Sequence, residues 1–306
     1  MDKSEIDSYV EAGQIAKEVK VFAHDLIKSG MKLIDIAEGI DAKILELGGD
    51  FAFPVNLSLN EVAAHFTPGV ECDIVAEGIL KVDIGVAVDG YIADTAISID
   101  LSEDGEFGDM IKLNEKILEK ASEAVKVGME VRDVGDAVQD VMESDGIEKF
   151  AVIKSLSGHT LGKNEIHAGM TISNYRNESS RVLSNIAFAV EPFVTSGIGD
   201  IYEGEPGGIY IVKRDGQVRD RDARKVLKFI KERFEGRPFC TRWLVREIRN
   251  KKLDIGLGKL KFILGTLVKQ DVLYEYPMLI EKSRKPVSQV ENTFVIAGGK
   301  VICTTG

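Results

Sequence analysis

Cysteine is scarce in this 306-residue chain: Cys72, Cys240 and Cys303 stand far apart, with no Cys-x-x-Cys spacing. That pattern excludes a disulfide framework and a zinc ribbon, and it suits a reducing compartment. Long apolar runs are missing as well. No stretch reaches the roughly 18 consecutive apolar residues of a membrane span. The opening residues, Met1-Asp2-Lys3-Ser4-Glu5, are polar and lack the apolar centre of a secretory leader. The expectation is a cytoplasmic protein with no membrane contact. Positive charge is in deficit, with 39 Lys and Arg against 50 Asp and Glu and a net charge of −11, so the surface as a whole does not suit nucleic acid. Histidine is rare too: there are four, His24, His65, His159 and His167. What is plentiful is core-forming material, 44% hydrophobic residues, enough for one large domain or two small ones.

One stretch, Val82 to Ala96, stands out. It reads as two strands joined by Asp89-Gly90, the strongest short-range signal for a two-residue hairpin turn. That turn pairs Val88 with Tyr91 and sets Asp83 opposite Ala96. Side chains alternate with period two, so Asp83 and Asp94 share a face. As diagonal neighbours they stand about 7–8 Å apart at the backbone. Their surroundings are apolar or small, where two acids are unfavourable without compensation, and a metal pair is the simplest compensation.

Around this hairpin the chain shows a repeat. Ser4-Glu5-Ile6-Asp7 has the form of a helix start, and apolar residues from Val10 to Ile27 recur at helical spacing up to Gly30. Asp35 to Leu47 reads as a second helix. The passage Gly30-Met31-Lys32-Leu33-Ile34-Asp35 returns as Gly128-Met129-Glu130-Val131-Arg132-Asp133, offset by 98 positions. Both copies follow a long amphipathic helix, the later one spanning Asp109 to Val127. Each copy then leads through a strand-like stretch towards a histidine, His65 or His159. An internal duplication with a site between its halves is the expectation. Val182 to Phe193 reads as a strand whose apolar face is broken by Glu191, with Pro192 marking an edge or bulge. From Lys213 the charge reverses: residues 213–252 hold 15 Lys and Arg against 6 Asp and Glu. Helices are expected over Arg221–Phe234, Thr241–Arg249 and Leu257–Lys269, forming a small inserted subdomain of loosely winged-helix outline. A final hairpin turns at Gly298-Gly299, and Glu291 opens it.

Five candidate metal ligands emerge: Asp83, Asp94, His159, Glu191 and Glu291. Four carboxylates and one imidazole suit a hard or borderline divalent ion, and they are enough for two bridged ions. Taken singly, each has a plain structural alternative. Asp83 and Asp94 fit turn caps or arginine partners, His159 fits a buried hydrogen-bonded histidine, and Glu191 and Glu291 fit a solvated face.

The order of motifs decides between these readings. Phe53-Pro54, Ser58-Leu59-Asn60, Ala63-Ala64-His65-Phe66-Thr67-Pro68, Asp83-Ile84-Gly85, Gly90-Tyr91-Ile92-Ala93-Asp94-Thr95-Ala96, Gly158-His159, His167-Ala168-Gly169, Glu191-Pro192-Phe193, Tyr276-Pro277 and Gln289-Val290-Glu291 run through nearly the whole chain. In combination they resemble the type II methionine aminopeptidases of the pita-bread fold, in an archaeal layout. The resemblance implies an α+β fold, internally duplicated, with a curved antiparallel sheet and flanking helices. It implies a catalytic unit of residues 1–202 and 273–306, interrupted by a helical subdomain over 203–272. It also implies two divalent ions (cobalt, manganese, iron or zinc) and a bridging hydroxide. Asp83 would chelate one ion, His159 and Glu191 the other, and Asp94 and Glu291 would bridge. Glu191 would also shuttle the proton. His65 and His167 would hold the substrate amide and stabilise the tetrahedral intermediate. Phe53, Ile166, His167 and Tyr276 match the methionine pocket, although as apolar and aromatic residues they fit plain core equally well.

The implied function is removal of the initiator methionine from nascent peptides by a monomer. The basic insert adds an expected contact with ribosomal RNA, set against the simpler reading of a solvated face. Two other functions remain on the table. One is a proline-specific peptidase of the prolidase or aminopeptidase P type, which shares the ligand pattern. The other is a non-catalytic homologue that binds RNA or protein.

Overall fold

The computed structural model describes residues 1–144, 148–216 and 218–306. Helix α1 (Lys3–Leu26) starts two residues earlier than Ser4 would place it. Asp2 is the cap: its carboxylate accepts from the Glu5 amide at 3.0 Å, and the Glu5 carboxylate accepts from the Asp2 amide at 2.7 Å. Ala12, Ile15, Ala16, Val19 and Ala23 form its buried stripe. After α2 (Leu33–Glu46) come the short strands β1 (Asp50–Phe51), β2 (Asn56–Leu59) and β3 (Val62–Ala64). The hairpin of β4 (Ile79–Val88) and β5 (Tyr91–Asp100) follows. Its register is Val88 with Tyr91, Gly85 with Asp94 and Asp83 with Ala96, as the two-residue turn requires. Asp89 and Gly90 both take positive φ, 51° and 84°, the conformation that matches the twist of a tight hairpin.

The second half opens in the same way, with α3 (Gly108–Ala124) and α4 (Val131–Ser144). Gly30 and Gly128 take φ of 84° and 79°. Each is followed by an antiparallel bridge, Lys32 with Val75 and Glu130 with Val182. The duplication read from the sequence is therefore a structural one. β6 (Ala151–Val152), β7 (Gly158–Leu161), β8 (Thr171–Ile172), β9 (Ile186–Val190) and β10 (Phe193–Thr195) complete this half. The single strand expected over Val182–Phe193 is split at Glu191-Pro192 into β9, which pairs with strands in one sheet, and β10, which pairs in another.

A long ribbon then leaves the body: β11 (Ile201–Val212) pairs with β13 (Leu273–Glu281). Between its two strands lie α5 (Arg221–Phe234), β12 (Phe239–Cys240), α6 (Thr241–Arg249) and α7 (Leu257–Lys269). The chain ends with β14 (Val287–Gln289), β15 (Asn292–Ala297) and β16 (Lys300–Cys303). All the strand pairings are antiparallel, in sheets ordered β1-β4-β2 with β5 beside β4, β16-β15-β9-β7-β8, β14-β10-β6 and β12-β11-β13-β3. The α3 and α4 side has its own core, including Ile117, Val134, Phe188 and Phe294. The insert shares one core with α1, α2 and β4: Trp243, Leu244, Phe234 and Leu264 pack in the same cluster as Ile36, Ile40 and Val86.

Candidate metal centre

The hairpin register places Asp83 and Asp94 on one face of adjacent strands, and both are buried, at 8% and 3% exposure. Gly85 between them is a close approach: a Cβ there would meet the Phe53 ring at 2.3 Å. The last strands bring in Glu291. Its amide donates to Ala96 O at 3.1 Å, and its carbonyl accepts from the Thr95 hydroxyl at 2.8 Å. Thr293 fixes the backbone of Asp94 from the same side, accepting from its amide at 2.9 Å and donating to its carbonyl at 2.7 Å. His159 comes from the middle of β7, with Nε2 3.6 Å from Asp94 Oδ2. Glu191 stands at the break after β9.

Ligand atoms of Asp94, His159 and Glu291 lie within 4.8 Å of one another, and so do those of Asp83, Glu191 and Glu291. Two overlapping triads thus share Glu291. Asp83 Oδ1, Asp94 Oδ1 and both carboxylate oxygens of Glu291 have no hydrogen-bond partner among the described residues. A buried acceptor without a donor is strongly unfavourable, so this donor set fits divalent cations at its centre. Burial pushes Asp83 up to about 6. It raises Asp94, Glu191 and Glu291 well above the ordinary carboxylate range, and repulsion among the acids adds to it. Protein alone therefore disfavours the fully ionised set, and cations would favour it.

The centre opens into a cavity of about 640 Å³ lined by Phe53, His65, Asp83, Asp94, His159, Ile166, His167, Glu191 and Tyr276, among others. Glu291 lies beneath it, 1% exposed. His65 has a left-handed φ of 67°, unusual for a residue with a side chain. Two bonds hold it there: its amide donates to Asn56 Oδ1 at 2.8 Å, and the Thr67 amide donates to Gly207 O at 2.9 Å. The His65 ring packs edge-on to Tyr276 at 5.2 Å, and His167 packs edge-on to His159 at 4.5 Å. Burial lowers His65 to about 4 and also lowers His167, so both are neutral near pH 7. His24 sits apart on α1, exposed beside Asp25.

Sequence reasoning missed several groups that serve this centre. Gln289 Nε2 donates to Asp83 Oδ2 at 3.2 Å and to Glu191 Oε1 at 2.7 Å, bridging two candidate ligands. Its spacing two residues before Glu291 was the available signal. Ile209 and Pro238 of the insert complete the cavity wall, and no local pattern marks them.

Part of the basic stretch is turned inward, although nine of its fifteen cations are exposed. Arg242, at 2% exposure, donates from Nε to Asp41 Oδ2 at 3.2 Å, and Arg246 donates to the same oxygen at 2.8 Å. Trp243 Nε1 adds a third bond at 2.7 Å. Arg233 grips Asp50 with two bonds of 2.8 and 2.7 Å, and Arg237 adds one of 2.9 Å. Arg242 and Arg246 thus do not form an outer face, whereas Arg249 at the end of α6 is exposed.

A model of metallopeptidase family M24 matches residues 7–223. The methionine aminopeptidase of Pyrococcus abyssi (strain GE5 / Orsay) is 40% identical over 305 residues, covering 98% of this chain and 99% of that protein. The crystal structure of methionine aminopeptidase from Thermotoga maritima superposes with a TM-score of 0.68 at 20% identity, covering 100% of this chain and 98% of that one. The structure of a thermophilic Arx1 superposes at 0.80 with 17% identity, covering 100% and 91%. At those identities the two structures speak to the fold alone, which is the curled antiparallel sheet with flanking helices of the pita-bread proteins.

Proposed function

The chain belongs to metallopeptidase family M24, among its methionine aminopeptidases, and from that premise we propose how its residues share the removal of an N-terminal methionine. The observation that carries the proposal is the convergence of three buried carboxylates, Asp83, Asp94 and Glu291, with half-buried Glu191 and with His159, oxygens left unpaired, at the floor of the cavity. Asp83, Asp94, His159, Glu191 and Glu291 would hold two divalent ions, with Glu291 common to both groups of ligands. Cobalt, manganese, iron and zinc all match this oxygen-rich set with one imidazole. When bound, such ions supply an activated water and polarise the scissile carbonyl.

The remaining work belongs to side chains. Phe53, Ile166 and Tyr276 receive the methionine side chain, whose flexible thioether suits an apolar and aromatic wall. The neutral imidazoles of His65 and His167 orient the first amide and donate to the oxygen on which charge develops. Glu191, ionised when the cations are bound, would accept a proton from the attacking water and deliver it to the leaving amine. The catalytic unit is residues 1–202 and 273–306, with 203–272 as an insert that docks on the first half. We place the enzyme in the cytoplasm as a monomer acting on nascent chains, with the exposed cations of the insert, Arg249 among them, free to approach ribosomal RNA.

The test is direct. Purified protein loaded with each metal in turn should cleave Met-Ala-Ser and leave an Xaa-Pro peptide intact. Asp94→Ala and Glu291→Ala should each lower kcat/KM by about 100-fold or more and lose bound metal by elemental analysis. Full activity in either variant would refute the two-ion centre.

A further inference from the structure

The cavity has two apolar ends that belong to different clusters. Phe53 and Ile166 pack with Tyr9, Ala87, Leu161 and Val295. Ala64, Leu156, Phe193 and Leu279 pack with Ile153 and Val287. His159 and the acids stand between them. β7 runs from Gly158 through His159 to Leu161, and the chain turns back through the Gly162–Glu165 bridge to Ile166. The segment 153–157 precedes the strand, so it lies beyond the opposite end of His159. If the methionine side chain occupies the Phe53 and Ile166 end, as the reading above holds, the rest of the peptide leaves over the other end.

A turn guards that exit. Ile153 O accepts from the Leu156 amide at 3.3 Å, which leaves Lys154 and Ser155 at the tip. Lys154 is exposed and lines the cavity. Among the described residues it is the only lysine or arginine in that lining, and the lining acids are Asp83, Asp94 and Glu191 at the floor. No carboxylate among the described residues pairs with it. A free cation at the mouth of a cavity whose other charges are sequestered is placed to read the charge of what passes.

We propose that Lys154 is a specificity-determining residue that favours an acidic side chain at the third position of the substrate peptide. The first side chain fills the pocket and the second abuts the ligands. An extended chain advances about 3.3–3.6 Å per residue, so the third is the first residue to clear the cavity and come within reach of a lysine. This inference rests on the aminopeptidase reading and on the orientation of the methionine within it.

The experiment compares wild type, Lys154→Ala and Lys154→Glu on Met-Ala-Asp-Gly and Met-Ala-Lys-Gly at low ionic strength. A solvent-facing ion pair is weak, so wild type should prefer the aspartate peptide by about two- to five-fold in kcat/KM. The preference should appear in KM and fade as salt is raised. Lys154→Ala should bring the ratio close to unity and Lys154→Glu should invert it. Melting temperatures near that of wild type establish that the variants are folded, as an exposed turn position leads one to expect. Cleavage of both peptides with the same ratio in all three proteins would overturn the role of Lys154. Failure of wild type to cleave either peptide would instead overturn the aminopeptidase reading, and this proposal with it.

Discussion

Gln289 shows how much of the candidate centre depends on a residue outside the proposed ligand set. Its amide donates to one oxygen of Asp83 and one of Glu191, which leaves Asp83 Oδ1 to face the interior without a donor. Two carboxylates drawn from distant parts of the chain are thereby held in fixed rotation. Partners of this kind orient ligands, and their loss typically costs about 10–100-fold in metal affinity. Gln289→Leu keeps the volume and removes the donor, so it should weaken divalent-metal binding by that factor in calorimetric titration while the metal-free protein stays folded. An unchanged Kd would show that the amide does no more than fill space. Thr293 acts through the backbone instead, clasping the amide and carbonyl of Asp94 with one hydroxyl. The spacing of Gln289 before Glu291 hinted at its place but not at its role, because a glutamine or threonine in a strand has the same local signature whether or not it positions a carboxylate.

Elements differed in how plainly the sequence announced them. The β4–β5 hairpin was legible to the residue, because Asp89-Gly90 admits one favoured turn and that turn dictates every pairing after it. The three helices of the insert were legible because each carries apolar residues at helical spacing that it buries, such as Leu227 and Ile230, Trp243 and Leu244, or Leu260 and Leu264. The β11–β13 ribbon that carries them was not. Gly204, Pro206, Gly207 and Gly208 interrupt the strand pattern, and the register shifts on both sides of Pro206. The start of α1 was misplaced because Asp2 to Glu5 and Ser4 to Asp7 both have the spacing of a capping box, and only the fold selects the first. The docking of the insert was also hidden, since a basic run looks the same whether it faces water or a buried acid. That docking has a testable strength. Asp41, 1% exposed, accepts from Arg242, Trp243 and Arg246, and Arg242 continues to Pro68 O at 2.8 Å, near His65. Asp41→Ala leaves the Arg242 charge buried without its partner, and urea unfolding should show a loss of about 3–5 kcal/mol. A loss below about 1 kcal/mol would mean that apolar packing of Trp243 and its neighbours is enough to hold the insert.

At the scale of the whole molecule, the centre is assembled from both halves of a duplicated fold and from the closing hairpin. Asp83 and Asp94 come from the first half, His159 and Glu191 from the second, and Glu291 precedes β15. Without cations this assembly stores repulsion, and the sign of its pH dependence follows. Burial raises Asp83 to about 6 and lifts the other three acids further. Between the unfolded carboxylate value, about 4, and these raised values, the folded chain holds protons that the unfolded chain has released. The acids therefore make stability of the metal-free protein fall as pH rises through that range, and the buried histidines, held below their unfolded value, oppose them only up to about pH 6.5. Protein stripped with a chelator should melt at a lower temperature at pH 8 than at pH 5.5, and added divalent metal should remove most of the difference. A metal-free melting temperature that rises with pH over that interval would contradict the clustering of the acids. The joining of Glu291 to β5 has one more consequence, and it concerns time. Thr95 and Glu291 are 196 residues apart in sequence yet share a hydrogen bond, and Thr305 Oγ1 accepts from the Thr293 amide at 2.9 Å behind them. Domains form as a chain emerges, at about 5–20 residues per second. Glu291, the last candidate ligand, and its support are made only after the other four candidate ligands and the insert. Each copy must thus be synthesised through Thr305 before it can begin to trim newborn chains.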